Sequence, residues 1–455
     1  MKDLMKQPNI IFIFGDQWRA QATGYAGESS VRTPNLDRLA GESLNLINAV
    51  SNCPLCTPYR ASLLTGQYPL THGLFVNDVP LDPNADSLGK AFAAGGYDTA
   101  CIGKWHVDGH GRDAPIPPER RQGFQFWKVL ECTHDYGHSA YYDGDSDQPR
   151  YWEGYDAIAQ TREAQRYIRE HDGHNPFLLV LSWGPPHNPY RTAPEPYRSW
   201  YERAPIRRRP NVPMNTWVTA YDSLAGYYAH CSALDACVGD LLRTVEEAGI
   251  ADDTIFIFTS DHGDAVGCHG HGNKQAPWDE SVRVPFLLRY PARFGRTPRT
   301  LECLLGAPDI MPTLLGLSGL PIPDPVEGLD FSRHLAGGPD PSDGAALIAC
   351  YQPIADWWRG EGGREYRGLR TKRYTYVRAL DGPWMLFDNQ VDPYQMDNLV
   401  GRPEHVALVA EMDAWLQRKL DAQGDAFLPG METIRQWGYQ VDEHETVIIP
   451  PSILR

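Results

Sequence analysis

The chain has 455 residues, 42% hydrophobic and 22% charged, which is apolar enough to bury a large core and excludes a disordered chain. Its 58 acidic and 42 basic residues leave a net charge of -16, which excludes a broad nucleic-acid footprint, because such binding needs a basic face to displace counterions. No apolar run is long enough to cross a bilayer, so no membrane partner is expected.

From the N-terminus, the lysines of residues 1–8 precede an apolar run, 9–14, that stops at Gly15-Asp16 and is too short for a signal-peptide core. A cytoplasmic location is therefore expected, or a periplasmic or secreted one if a leader was removed. The 9 cysteines are odd in number and scattered, unlike a disulfide framework, in keeping with a reducing compartment. Four apolar runs read as buried strands, each followed by chemically capable residues. Residues 10–14 lead into Asp16-Gln17, and 99–102 into Lys104-Trp105-His106. Residues 177–182 lead into Pro186-His187, and 254–259 into Asp261-His262-Gly263-Asp264. Helical patterns fall between them at 35–43, 158–171 and 220–248. This is an α/β layout, in which the site forms beyond the carboxyl ends of the strands and distant segments meet in one crevice.

The texture changes after about residue 340. A Gly/Pro/Asp-rich stretch at 337–344 precedes alternating segments at 368–378 and 384–387, which read as an antiparallel meander. Residues 404–420 then read as an amphipathic helix packed on it. The expected division is a catalytic α/β domain over 1–340 and a smaller α+β subdomain over 341–455.

Cys56-Thr57-Pro58-Tyr59-Arg60 opens a helix that ends at Gly66. Cys56 thus sits at a helix N-terminus, where free N–H groups favour an anion, and Arg60 lies one turn along on the same face. The cysteines alone also fit a packed apolar residue, or a C-x-x-C redox pair of Cys53 and Cys56.

The continuation Cys56-Thr57-Pro58-Tyr59-Arg60 to Leu63-Leu64-Thr65-Gly66 resembles the signature of the sulfatase family. Further landmarks keep the family order: Pro8-Asn9 through Asp16, Thr33-Pro34-Asn35-Leu36-Asp37, Gly103 to His106, Pro186-His187, Ser260 to Gly263 and Glu280 to Pro285. The resemblance implies an alkaline-phosphatase-like fold, a large mixed sheet between helices with a smaller C-terminal antiparallel sheet and helix. It also implies that a maturation enzyme oxidises Cys56 to formylglycine, whose hydrate attacks sulfur and later expels sulfate by re-forming the aldehyde. Asp16, Gln17, Asp261, His262 and residue 56 would hold a divalent metal, calcium first and manganese as the alternative, since many relatives carry Asp for Gln17 and Asn for His262. Lys104 and His106 would hold the sulfate, while His187 and Lys274 would hold it and protonate the departing oxygen.

Asp264, His269 and His271 read as loop polar groups, His72 as a structural hydrogen-bonding residue, and Arg207-Arg208-Arg209 as a solvated basic run. The aromatic segment 131–142 with Trp152, Trp278, Trp357 and Trp358 suits stacking on a sugar ring, so a sulfated carbohydrate is the expected substrate. A phosphonate monoester or phosphodiester hydrolase of the same superfamily, or a broad arylsulfatase, is the alternative.

Overall fold

The run near the N-terminus is continuously apolar because both of its faces are covered. In β1 (Asn9–Asp16), Ile10, Phe12 and Phe14 enter one core while Ile11 and Ile13 enter another. The same alternation marks the neighbouring strands, with Leu178 and Val180 against Leu179 and Leu181, and Ile255 and Ile257 against Phe256 and Phe258. Each such side chain, removed from water, contributes about 1.5–3 kcal/mol. This computed structural model describes residues 7–354 and 357–454.

After β1 come β2 (Leu44–Leu46), β3 (Asp98–Lys104), β4 (Phe126–Leu130), β5 (Ala140–Asp143), β6 (Arg150–Tyr151), β7 (Phe177–Pro186), β8 (Thr254–Ser260), β9 (Leu287–Arg289) and β10 (Arg299–Leu301). They form a 10-stranded mixed sheet in the order β10-β2-β9-β8-β1-β7-β3-β4-β5-β6. Strands β8, β1, β7, β3 and β4 run parallel, whereas β9 and β5 flank them antiparallel. Helices Asp156–Glu170 and Trp217–Glu247 cover one face, and helices Cys56–Thr65 and Ala307–Ser318 the other. The expected helix at 35–43 is shorter, Pro34–Ala40, because the chain turns at Gly41 to enter β2.

The second sheet is the expected meander: β11 (Ala345–Cys350), β12 (Tyr366–Thr371), β13 (Tyr374–Ala379) and β14 (Gly382–Asp388), antiparallel throughout. One face, with Ile348, Val377 and Phe387, packs on Val50, Val282 and Leu304 of the larger unit. The other face, with Leu347, Leu369 and Leu386, receives Met412, Leu416 and Leu420 of helix Val406–Gln423. That helix starts at Val406 because Pro403–His405 forms a separate tight turn. Arg367 and Asp425 make a buried ion pair beneath it. A last helix, Gly430–Trp437, has no counterpart in the sequence reading. No helix among the described residues is long and apolar enough to cross a membrane.

Candidate active site

Strand ends deliver the chemistry. The β1–β7 pairing slips between Gly15 and Asp16, and Gln17 follows at φ 72°, so the chain turns sharply as it leaves the sheet. Ser260, the last residue of β8, ties the two strand ends together by donating to the Gly15 carbonyl at 2.9 Å and accepting from Trp18 N at 2.7 Å. At the end of β3, Gly103 has φ 103°, and a Cβ there would stand 2.0 Å from the Ser182 carbonyl oxygen, so only glycine lets Lys104 emerge at this point. Opposite these ends, Cys56 begins helix Cys56–Thr65, which Gly66 closes at φ 67°. Thr57 Oγ1 donates to the His106 carbonyl at 2.7 Å and locks this helix to the segment after β3.

Asp16, Cys56, Asp261 and His262 offer ligand atoms that all lie within 4.8 Å of one another, and all four residues are buried. Cys56 Sγ is 3.2 Å from His262 Nε2 and 3.5 Å from Asp16 Oδ2. His262 Nδ1 lies 3.1 Å from the Gly263 carbonyl. A carbonyl only accepts, so Nδ1 carries the hydrogen and the Nε2 lone pair faces the cluster. Burial lowers the His262 pKa and keeps the ring neutral, as a metal ligand must be. Two carboxylates and an imidazole fit a hard or borderline divalent cation. Gln17 stands beside them, its Oε1 accepting from Lys274 Nζ at 2.8 Å and its Nε2 donating to Asp264 Oδ2 at 2.7 Å.

Cations surround the carboxylates. Arg60, 2% exposed, donates to Asp261 Oδ2 through Nε at 3.2 Å and Nη2 at 3.0 Å, and through Nη1 to Ser182 Oγ at 2.7 Å. Lys104 Nζ lies 2.5 Å from Asp16 Oδ2. Burial alone would raise the Asp16 carboxyl, but the ammonium groups of Lys104, first, and Lys274 hold it well below the usual range. Burial likewise opposes the charge on Lys104, but Asp16 and the neighbouring Cys132 and Cys56 together outweigh it, so the ammonium is held. Lys274 Nζ is 3.6 Å from Cys56 Sγ and 2.8 Å from His187 Nε2. His187 Nδ1 lies 2.8 Å from the Asn188 carbonyl and must donate to it, which leaves Nε2 to accept from Lys274. Burial and then Lys274 push the His187 pKa well down. His106 Nε2 meets Asp78 Oδ1 at 3.3 Å, and Arg112 grips the same carboxylate at 2.8 Å through both Nε and Nη2.

All eight sequence-nominated positions other than His106 and Gln17 gather directly on this cluster, and those two border it: Asp16, Cys56, Arg60, Lys104, His187, Asp261, His262 and Lys274. Cys53 takes the packed apolar place rather than that of a reactive thiol: it lies in the core, and burial pushes its thiol up to about 12. Asp264 is more than a loop polar group: it is fully buried and holds both Gln17 and Tyr190. His72 has the structural place expected of it, its Nε2 lying 3.0 Å from Ser62 Oγ. His269 and His271 stack on the partly buried Trp278, and Trp357, 3% exposed, belongs to the C-terminal core, whereas Trp358 is exposed. Within the basic run, Arg209 is paired with buried Glu280. Asp78, Arg112, Ser182 and Tyr190 escaped the sequence reading; of these only Ser182, the first polar residue after the apolar start of β7, carried a local signal.

A buried, charged crevice at the carboxyl ends of parallel strands, in which Cys56 at the head of a helix joins a metal-competent cluster, suits the hydrolysis of anionic esters. The profile of the Sulfatase family matches residues 8–320, and that of the N-sulphoglucosamine sulphohydrolase C-terminal domain matches residues 267–422. An ulvan-active sulfatase of Formosa agariphila is 44% identical over 98% of this chain and 88% of its own. A solved Bacteroides thetaiotaomicron structure, described under the metabolism of multiple glycosaminoglycans, is 30% identical, with a TM-score of 0.84 over 95% of this chain and 99% of its own. The phosphonate monoester hydrolase of Agrobacterium radiobacter is 25% identical, with a TM-score of 0.74 over 98% of this chain and 100% of its own. The chain belongs to the sulfatase family, with the alkaline-phosphatase-like fold, and is a sulfuric ester hydrolase. Sulfatases of this family generally work with a metal and a formylglycine.

Proposed function

We propose that the protein hydrolyses the sulfate ester of a sulfated carbohydrate, with Cys56 oxidised to formylglycine by a maturation enzyme. A divalent cation, calcium in preference to manganese, would be held by Asp16, Asp261, His262 and residue 56, with Gln17 alongside. The observation that carries this reading is the convergence of these four ligand atoms within 4.8 Å beneath Arg60, Lys104 and Lys274. The carbohydrate part is supported by relatives whose names specify ulvan and, at 32% identity, an endo-4-O-sulfatase activity.

When bound, the cation supplies positive charge to the sulfuryl oxygens and to the attacking oxygen of residue 56. Arg60 fixes the two carboxylates. Lys104 and His106 balance charge on the sulfuryl group, and the Asp78–Arg112 pair keeps His106 oriented. Lys274 is the proton-bearing member of its pair, so the proton for the departing alkoxide starts on Lys274 Nζ and reaches the bridging oxygen directly or through His187 Nε2. Negative charge developing on either side of sulfur thus faces a fixed cation.

Intact-protein mass tests the nucleophile: maturation makes Cys56 about 18 Da lighter. Full activity with an unmodified thiol would refute the scheme. Metal analysis of protein prepared without chelator tests the cation, and a fully active metal-free enzyme sinks that assignment. The phosphonate hydrolase likeness and the Asp/Gln with Asp/His set favour a second reading, phosphonate monoester hydrolysis. The Lys104-Trp105-His106 arrangement, which such enzymes do not typically keep, favours sulfate. Rates on nitrophenyl sulfate and a phenyl phosphonate ester separate the two.

A further inference from the structure

A cavity of 410 Å3 opens at the end of β4, the strand next to β3. Arg112, Cys132, His138 and Tyr151 line it from the larger unit, and Pro450 and Leu454 line it from the far end of the chain.

Three observations join this cavity to the active site. Leu130, another lining residue, is the pairing partner of Lys104 across β3 and β4, and its carbonyl accepts from Trp105 N at 2.9 Å. Two residues further on come the lining residues Cys132 and Thr133, and the next residue, His134, stacks its ring on His187 at 4.4 Å and 6°. Arg112 contacts Asp78, the partner of His106. Lining residues thus pair with Lys104, hold the carboxylate that meets His106, and precede by one residue the ring that stacks on His187.

Its chemistry suits a sugar ring. His138 and Tyr151 stack at 4.2 Å and 28°, and Tyr151 is 46% exposed, so an aromatic face is open to the C–H face of a pyranose. Arg112 spends Nε and Nη2 on Asp78, and among the described residues its Nη1 makes no hydrogen bond, which leaves a donor for a ring oxygen.

The tail wall is attached rather than draped. Asp113 accepts from Ile453 N at 3.1 Å, from Leu454 N at 2.9 Å and from the Ser452 hydroxyl. Leu454 packs on Leu130, Ala140 and Tyr142. A segment more than 300 residues away in sequence is thus pinned beside the catalytic strands.

We propose that this cavity is the subsite for the sugar ring next to the sulfated one, and that the tail 449–454 closes it as a specificity element. The proposal rests on the carbohydrate reading above. It implies a substrate of at least two linked sugars, recognised by stacking on Tyr151 and by a hydrogen bond from Arg112.

The test uses the matured full chain, Tyr151→Ala, Tyr151→Phe and a chain cut after residue 448. For each, kcat/KM is measured on a sulfated oligosaccharide chosen from a panel and on the corresponding sulfated monosaccharide, with nitrophenyl sulfate as a third substrate. The oligosaccharide-to-monosaccharide ratio should exceed unity in the intact chain and fall about tenfold in Tyr151→Ala and in the cut chain, while Tyr151→Phe retains it. If the cut chain does not fold, Tyr151→Ala decides alone, because that side chain is at the surface. An intact chain without preference for the oligosaccharide, or a preference that survives Tyr151→Ala, overturns the subsite while leaving the carbohydrate reading in place. Turnover of nitrophenyl sulfate with none of either sugar overturns the carbohydrate reading, and the subsite with it.

Discussion

In the larger sheet, β1, β3, β7 and β8 run parallel, so all four deliver their last residues to one edge, where Asp16, Lys104, His187 and Asp261 meet. In the smaller sheet the strands alternate in direction, and among the described residues none of them is a partner of Cys56. That sheet instead grips the loops that carry the chemistry. Asn52, four residues before Cys56, donates to the Leu347 carbonyl at 2.7 Å and accepts from Ala349 N at 2.7 Å. Tyr366 donates to the carbonyl of Gln275, next to Lys274, at 2.8 Å, and Arg370 clamps Asp279. Parallel strands thus concentrate reactive groups at one edge, while the antiparallel meander, with a flat face to spare, acts as a brace.

The largest expected effect comes from the catalytic side. Cys56→Ala should cost at least about 10^3-fold in turnover while thermal melting stays close to wild type, because the nucleophile is lost and a small residue remains in the helix. Arg367→Met strikes the brace: a buried pair broken on one side costs about 3–5 kcal/mol, read by urea unfolding, and adding Asp425→Leu should recover most of it. Recovery that fails would mean the pair does more than hold the helix on the meander.

His187→Ala should lower kcat by about 10^2-fold on sulfated sugars, which are poor leaving groups, and far less on nitrophenyl sulfate. An equal loss on both removes the proton-delivery role. A pH titration sharpens the comparison further. Burial pushes the Asp156 carboxyl up to about 7, and its Oδ1 makes no hydrogen bond. A raised carboxyl contributes stability that is complete below its unfolded value of 3.8 and is lost as pH rises through about 7. Unfolding free energy of wild type should therefore fall by roughly 3 kcal/mol between about pH 5 and pH 8 from this group, and Asp156→Asn should flatten the slope. The smallest effect belongs to Tyr366→Phe, which removes one hydrogen bond to the Lys274 loop and should cost about 1 kcal/mol, seen as a several-fold drop in kcat/KM with a nearly unchanged melting temperature.

The strands that carry the site were legible because each is apolar on both faces and ends abruptly in polar residues, as 254–259 before Asp261 illustrates. Short strands such as β2, β9 and β10, 3 residues each, left no periodic trace. The meander and helix Val406–Gln423 were legible from alternation and amphipathy, but the second tier of the site was not. Asp78, Asp264 and Tyr190 look like ordinary loop residues until His106, Gln17 and Asp264 are brought against them.

By itself the sequence determined that Cys56 stands at the head of its helix, the glycine that ends that helix, and which residues leave the sheet beside it, because these depend on local periodicity and on neighbours within one turn. Only the tertiary structure decided which imidazole nitrogen faces Cys56, that His187 Nε2 is set against Lys274 Nζ, and that residues 449–454 wall a cavity at the end of β4. Those outcomes depend on hydrogen-bond partners and burial contributed by segments tens to hundreds of residues apart, and no local pattern encodes them.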